Sequence, residues 1–486
     1  MTLSAQEGDA TDKRQKFLAK RLRVAQTRQE LEALGSEINA WASKRHKTDQ
    51  VRQYSSQLNT LTGVLDNALL RLTPELDALA TAARVTSISK VYGQCRIYDK
   101  RIVWIRRLWK YFREKFDQRD TTYADTLLAA DEFVWSCYSE TFARAKRNPR
   151  GTLPLTYIEP QYSPNAIPRA EPPSDLKSDV DADFVSKCLA QLPLPLIGLP
   201  TVCLTEPWWL AFLAHEIGHH VQYDILPGAD LVPTFGSVLA AAVTGSDQTP
   251  EMLHRPEAAR WNAWGREVFA DAFSVLQIGQ AAVWAMAELE TAPAGSMLKP
   301  KTLYPAPAVR LALLAGLADG LGLEGGNALR WVDPRGLTTD VQEGDEKLRT
   351  EAAAELDRIP VILKAVLAKP LAPLPSLPKL CAWETGKFLE QTKYWSVELL
   401  KSQPQPEKDV RAARYILSGA LRAWQQISVI ECDTKRDEQQ HKLKVNILPT
   451  LRNSREEGTR SGDEPLAANV EALGKQLTDL LSEIPE

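Results

Sequence analysis

Three of the chain's six histidines fall within six residues, in the apolar run WWLAFLAHEIGHHVQYD at 208–224. His215, Glu216 and His219 there make an HExxH pattern. On a helix, residues four apart lie on one face. Two imidazoles so placed can bind one metal from the same side, and zinc suits nitrogen ligands. Glu216 adjoins the first of them and can reach a water in the metal's open position. Zinc lowers the pKa of such a water toward about 7, and Glu216 can take its proton as the water attacks a carbonyl. A catalytic site of this kind needs a third protein ligand. The stretch WGREVFADAFSVLQIG supplies Glu267, 48 residues after His219, and Asp271 one turn further on the same face. Glu267 can ligate zinc through its carboxylate. Asp271 can accept the free N–H of a ligating histidine and fix its tautomer. Ala270 is small enough to let the two helices approach closely. An ExxxD pair alone would read as solvated acids on an amphipathic helix.

HExxH followed by ExxAD resembles the gluzincin class of zinc metallopeptidases, in which the third ligand is a glutamate. EVFADAF at 267–273 is most similar to the M48 peptidases, the group of the CAAX prenyl endopeptidases and the HtpX proteases. YPAPAVRLALL at 304–314 resembles that group's downstream HPxxxxR element, with Pro305 and Arg310 in register and Tyr304 where the family has histidine. There is also some resemblance to the soluble ImmA/IrrE group. The likeness spans about residues 192–321, and it implies the catalytic module rather than a membrane setting. It implies a zincin-like metallopeptidase module with a small edge sheet. It also implies one Zn2+ per chain, held by His215, His219 and Glu267. Tyr304 and Arg310 become candidates for transition-state or substrate contacts, with Tyr304 either a phenol donor to an oxyanion or only a residue that fills space.

Other residues near the motif have plainer readings. His220 is rotated about 100° from His219 on a helix, so it should point away from the metal. Tyr223, eight residues after His215, returns toward the ligand face, where it can support a ligand, pack, or touch substrate. His254, in TPEMLHRPE, can reach a cleft as a transition-state donor if its loop lies there. Trp208, Trp209, Trp261 and Trp264 read as core. The segment 223–254 can be a lid or can pack onto the module.

The elements that must position these groups read as mainly α (α+β), with helical N- and C-terminal regions flanking the module. Residues 1–145 form a helical bundle or coiled-coil region. Its seams are Leu31, Leu34, Ile38 and Trp41, then Leu58, Leu61, Leu65, Ala68 and Leu72, then Ile102, Ile105, Trp109, Phe112 and Phe116. Residues 146–190 are proline-rich and read as a linker or wrapping loop. The metallopeptidase module occupies 191–330. In it, PLIGLPTVCL is a candidate edge strand, Thr205 caps the helix carrying HExxH, and 232–243 and 256–288 are helices. Residues 331–486 are a helical C-terminal region, with a seam at Ala413, Leu417, Ala420, Trp424 and Ile427.

Lys and Arg number 59 against 62 Asp and Glu, a balance that disfavours nucleic acid as a partner. The six cysteines show no CxxC spacing, which suits reduced thiols rather than a cysteine zinc site. No window of about 18 apolar residues suggests a membrane span. The reading is a soluble, cytoplasmic zinc endopeptidase that cuts a protein or peptide substrate. Its helical flanks recognise substrate or a protein partner, or restrain activity. The alternative is an adaptor or assembly protein that keeps the zinc module without cutting.

Overall fold

In a computed structural model the chain is mainly helical, with a three-stranded and a two-stranded sheet. The structure describes residues 3–147, 153–167, 176, 182–190, 192, 194–226, 231–245, 255–329, 332–338, 346–404, 409, 411–454 and 469–483. Among them, no helix is long and apolar enough to cross a membrane.

The chain divides into two compact units, 1–119 with 169–194 and 459–486, and 120–168 with 195–458. In the first unit, helices Leu3–His46, Ser55–Ala82 and Ile88–Asp117 pack along the seams read from the sequence. Every residue of those three seams is buried. Helix Val470–Leu481 lies against Ser55–Ala82, where Gly474 meets Asn67 and the backbone of Val64. A seam repeating at three and four residues buries one stripe of each helix, and burial of that stripe is what stabilises helices of this length.

The boundaries of the second unit differ from those expected. Helix Ala124–Arg144 belongs here rather than to the N-terminal bundle, and so do residues 331–458. The reason is packing. Arg414, on helix Ala412–Ser428, donates to Gln277 Oε1 at 2.8 Å, and Ser418 donates to the Ile278 carbonyl at 3.2 Å. Glu355, on helix Glu346–Ala368, accepts from Trp261 Nε1 at 2.7 Å and from Arg260 at 2.6 Å. The C-terminal helices therefore cover the helices around Glu267 instead of forming a separate region.

The proline-rich segment also departs from a linker. It supplies β1 (Leu155–Glu159) and β2 (Asn165–Ile167), which flank β3 (Leu196–Pro200) in the order β1-β3-β2. β1 runs parallel to β3 and β2 antiparallel. β3 is thus the central strand and is buried throughout, not an edge. Its prolines lie just before it and at its last position, so they remove no donor from its interior. Gly198 in β3 lacks a side chain for a reason: a Cβ there would stand 2.1 Å from Asn165 Oδ1.

Candidate metal centre

The helix carrying HExxH is Leu213–Asp224, preceded by a 3-10 turn at Pro207–Phe212. Thr205 does not cap it. Its hydroxyl donates back to the Val202 carbonyl at 3.2 Å, at the end of the short helix Val202–Thr205. The third histidine explains how the helix is seated. His220 is fully buried, and its Nε2 lies 3.0 Å from the Leu196 carbonyl of β3. The side chain that points away from His215 and His219 therefore ties their helix to the sheet.

The expected helix over 256–288 is three helices, Pro256–Ala263, Gly265–Ile278 and Gln280–Glu290. Gly279, at φ +58°, makes the second break, a conformation that glycine adopts without a Cβ penalty. The middle helix carries Glu267 and Asp271, and it crosses the histidine helix at Gly218. A Cβ on Gly218 would lie 2.7 Å from Ala270 Cα. Gln222 holds the register, its Nε2 donating to the Arg266 carbonyl at 2.7 Å.

That close crossing brings together His215, His219 and Glu267, the one such group of possible metal ligands among the described residues. The two Nε2 atoms are 3.1 Å apart. Glu267 Oε2 lies 3.4 Å from His215 Nε2 and 3.6 Å from His219 Nε2. A point about 2 Å from all three atoms exists, matching Zn–N and Zn–O lengths of about 2.0–2.2 Å. Glu267 Oε2 is buried and satisfied by no hydrogen bond. A buried carboxylate oxygen facing two imidazole nitrogens fits a shared cation.

Asp271, fully buried, lies beyond His215, with Oδ1 2.9 Å from Nδ1. A carboxylate accepts there, so Nδ1 keeps a proton, and it is Nε2 that would give up its proton and present its lone pair to a cation at the shared point. Arg310, on helix Pro307–Gly320, grips Asp271 from the other side. Its Nε and Nη2 donate at 2.7 and 2.9 Å, a bidentate pair. Nη1 donates to Glu290 Oε1 at 2.7 Å. Arg310 thus donates to two carboxylates, with Glu267 Oε2 a third at 3.7 Å from Nη2, and at 4% exposed it offers little surface to a substrate. Sequence reasoning missed Glu290, which has no motif and lies 20 residues before its partner.

The electrostatics follow. Burial pushes the His215 imidazolium down, but Asp271 and Glu267 outweigh it and raise the group to about 9. Burial pushes Glu267 up, while the imidazoles of His215 and His219 hold it well below the usual carboxylate range. Burial likewise opposes the charge on Asp271, and Arg310 then His215 bring it down.

Glu216 is buried beside the first ligand. Tyr304 is 39% exposed, with the Arg310 guanidinium 5.9 Å from its ring centre. Its phenol is pushed up by burial and then by the charge on Glu267, so it stays a proton-bearing donor. Tyr223 is half-buried, and its ring lies 5.7 Å from the Arg266 guanidinium, a packing contact. His254 and residues 227–230 and 246–253 of the 223–254 segment lie outside the described residues.

Comparison with family models, with curated proteins and with solved structures gave no match.

Proposed function

We propose that the chain is a zinc-dependent endopeptidase of gluzincin type. The observation that carries the reading is the triangle of His215 Nε2, His219 Nε2 and Glu267 Oε2, with sides of 3.1, 3.4 and 3.6 Å. Three protein ligands leave a fourth tetrahedral position, which is the mark of a catalytic rather than a structural zinc site. A zinc ion held there would supply the Lewis acidity that makes a water nucleophilic near neutral pH.

The chain's own residues have separate tasks. Asp271 holds the proton on His215 Nδ1 and so keeps the ring turned toward the shared point. Arg310 fixes Asp271. Glu216 is the carboxylate that accepts a proton from the attacking water and passes it to the leaving amine. Tyr304 offers a phenolic hydrogen to an oxyanion. The adaptor reading is favoured by one feature, the low exposure of the ligands, at 8% for His215, 5% for His219 and 3% for Glu267.

The experiment is digestion of a mixed peptide library by zinc-loaded chain, with new N-termini identified by mass spectrometry. Cleavage by the wild type and none by Glu216→Gln, at equal zinc content, is the expected result. Full zinc occupancy with no cleavage by either protein would replace the peptidase reading with the adaptor one.

A further inference from the structure

Glu290 is the last residue of helix Gln280–Glu290, an unfavourable place for a carboxylate. The C-terminal end of a helix carries partial negative charge, which repels it. Its partner there is the buried guanidinium of Arg310, 2.7 Å away through Nη1. The other end of that guanidinium reaches the metal ligands. Arg310 Nη2 lies 3.7 Å from Glu267 Oε2 and 3.2 Å from His215 Nε2. A cation so close to these two atoms competes with a metal for the same carboxylate oxygen.

The guanidinium is a rigid planar fork, so its position is set by where its donors are held. Asp271 holds the Nε and Nη2 edge, and Glu290 holds Nη1. We propose that Glu290 is a positioning residue of the metal centre, drawing the Arg310 guanidinium back so that Glu267 Oε2 stays open to the cation. Without Glu290, the fork pivots on Asp271 toward the next carboxylate, which is Glu267. Glu290 also offsets the positive charge of Arg310, which would otherwise repel a divalent ion. This inference rests on the metal-binding reading of the site.

Cobalt(II) binding to the full-length chain tests it, through the dissociation constant and the visible absorption of the bound ion. Glu290→Gln is expected to weaken cobalt binding about 10-fold, toward the low end of the 10- to 100-fold cost of losing a direct outer partner of a metal ligand because Glu290 acts through Arg310, and to shift the visible bands. In an Arg310→Gln background the same change should cost less than about twofold, because the residue through which Glu290 acts is gone. Wild-type affinity in Glu290→Gln would overturn the inference. So would a loss that persists undiminished in the double variant. Near-ultraviolet circular dichroism of the metal-free proteins reports whether each is folded. If Glu290→Gln is not, Glu290→Asp carries the test. It keeps the charge but sets it further back, so a smaller loss is expected and no loss overturns the inference. A wild-type chain that binds no cobalt would overturn the metal reading as a whole, a result distinct from normal binding by the Glu290 variants.

Discussion

Asp271 Oδ1 sits 2.9 Å from His215 Nδ1, and that contact decides which imidazole nitrogen faces Glu267. The same carboxylate carries the bidentate grip of Arg310. One buried side chain therefore couples the orientation of a ligand to the neutralisation of a buried cation.

Replacing it should show both roles. Asp271→Ala leaves the Arg310 guanidinium buried with one partner lost, which costs about 3–5 kcal/mol. It also releases the His215 ring, for a loss of about 10- to 100-fold in zinc affinity. Thermal unfolding of the metal-free chain and competition against a zinc chelator read the two effects separately. Unchanged zinc affinity would remove Asp271 from the orientation of His215.

The helix crossing makes a second prediction. Gly218→Val places side-chain atoms against Ala270 Cα, where a Cβ alone would stand at 2.7 Å. Backbone cannot yield as a flexible side chain does, so the helices must separate, at about 1–3 kcal/mol. Since His219 and Glu267 lie on opposite sides of this crossing, zinc affinity should fall with stability. Denaturant unfolding and zinc titration on one sample check this, and a variant that binds zinc as tightly as the wild type would contradict it.

Not all of this was hidden in the sequence. The pairing of His215 with His219, and of Glu267 with Asp271, follows from helical periodicity, and the small Ala270 marks a close approach. Gly218 makes that approach possible, but a lone glycine in a helical pattern does not announce its neighbour. The strands of residues 155–159 and 165–167 were illegible because prolines bracket them, and short strands carry little periodic signal. Thr205 suits an N-cap by type, yet a 3-10 turn separates it from the helix proper. Glu290 reaches the site by tertiary packing alone, which no spacing rule encodes.

His220 separates the two kinds of histidine in this helix. His220→Ala removes one hydrogen bond to the Leu196 carbonyl and empties the buried space of its ring, for a loss of about 1–3 kcal/mol. It should leave one zinc per chain in place. Metal analysis beside thermal unfolding decides the matter, and loss of zinc with retained fold would make His220 part of the centre.

Zinc uptake should depend on pH in a stated direction. His215 is raised to about 9 in the metal-free chain, so at pH 7.5 it is mainly protonated. Zinc needs the neutral ring and must displace that proton, so affinity rises with pH up to about 9 and falls about tenfold per unit below it. In the metal-free chain the linkage has the opposite sense. The raised group contributes stability below its unfolded value of about 6.5, and that stability is lost as pH climbs through about 9. Calorimetric titration with zinc in two buffers of different ionisation heat should show close to one proton released at pH 7.5. Zero release would place His215 neutral beforehand.

The central claim is that one zinc is held by three side chains from two crossing helices. The most direct measurement is metal content by mass spectrometry on the purified, zinc-loaded chain, beside His219→Ala and Glu267→Ala. One zinc per chain in the wild type, absent from both folded variants, is the result this account requires. A wild-type chain without metal after loading, or variants that keep their zinc, would contradict it.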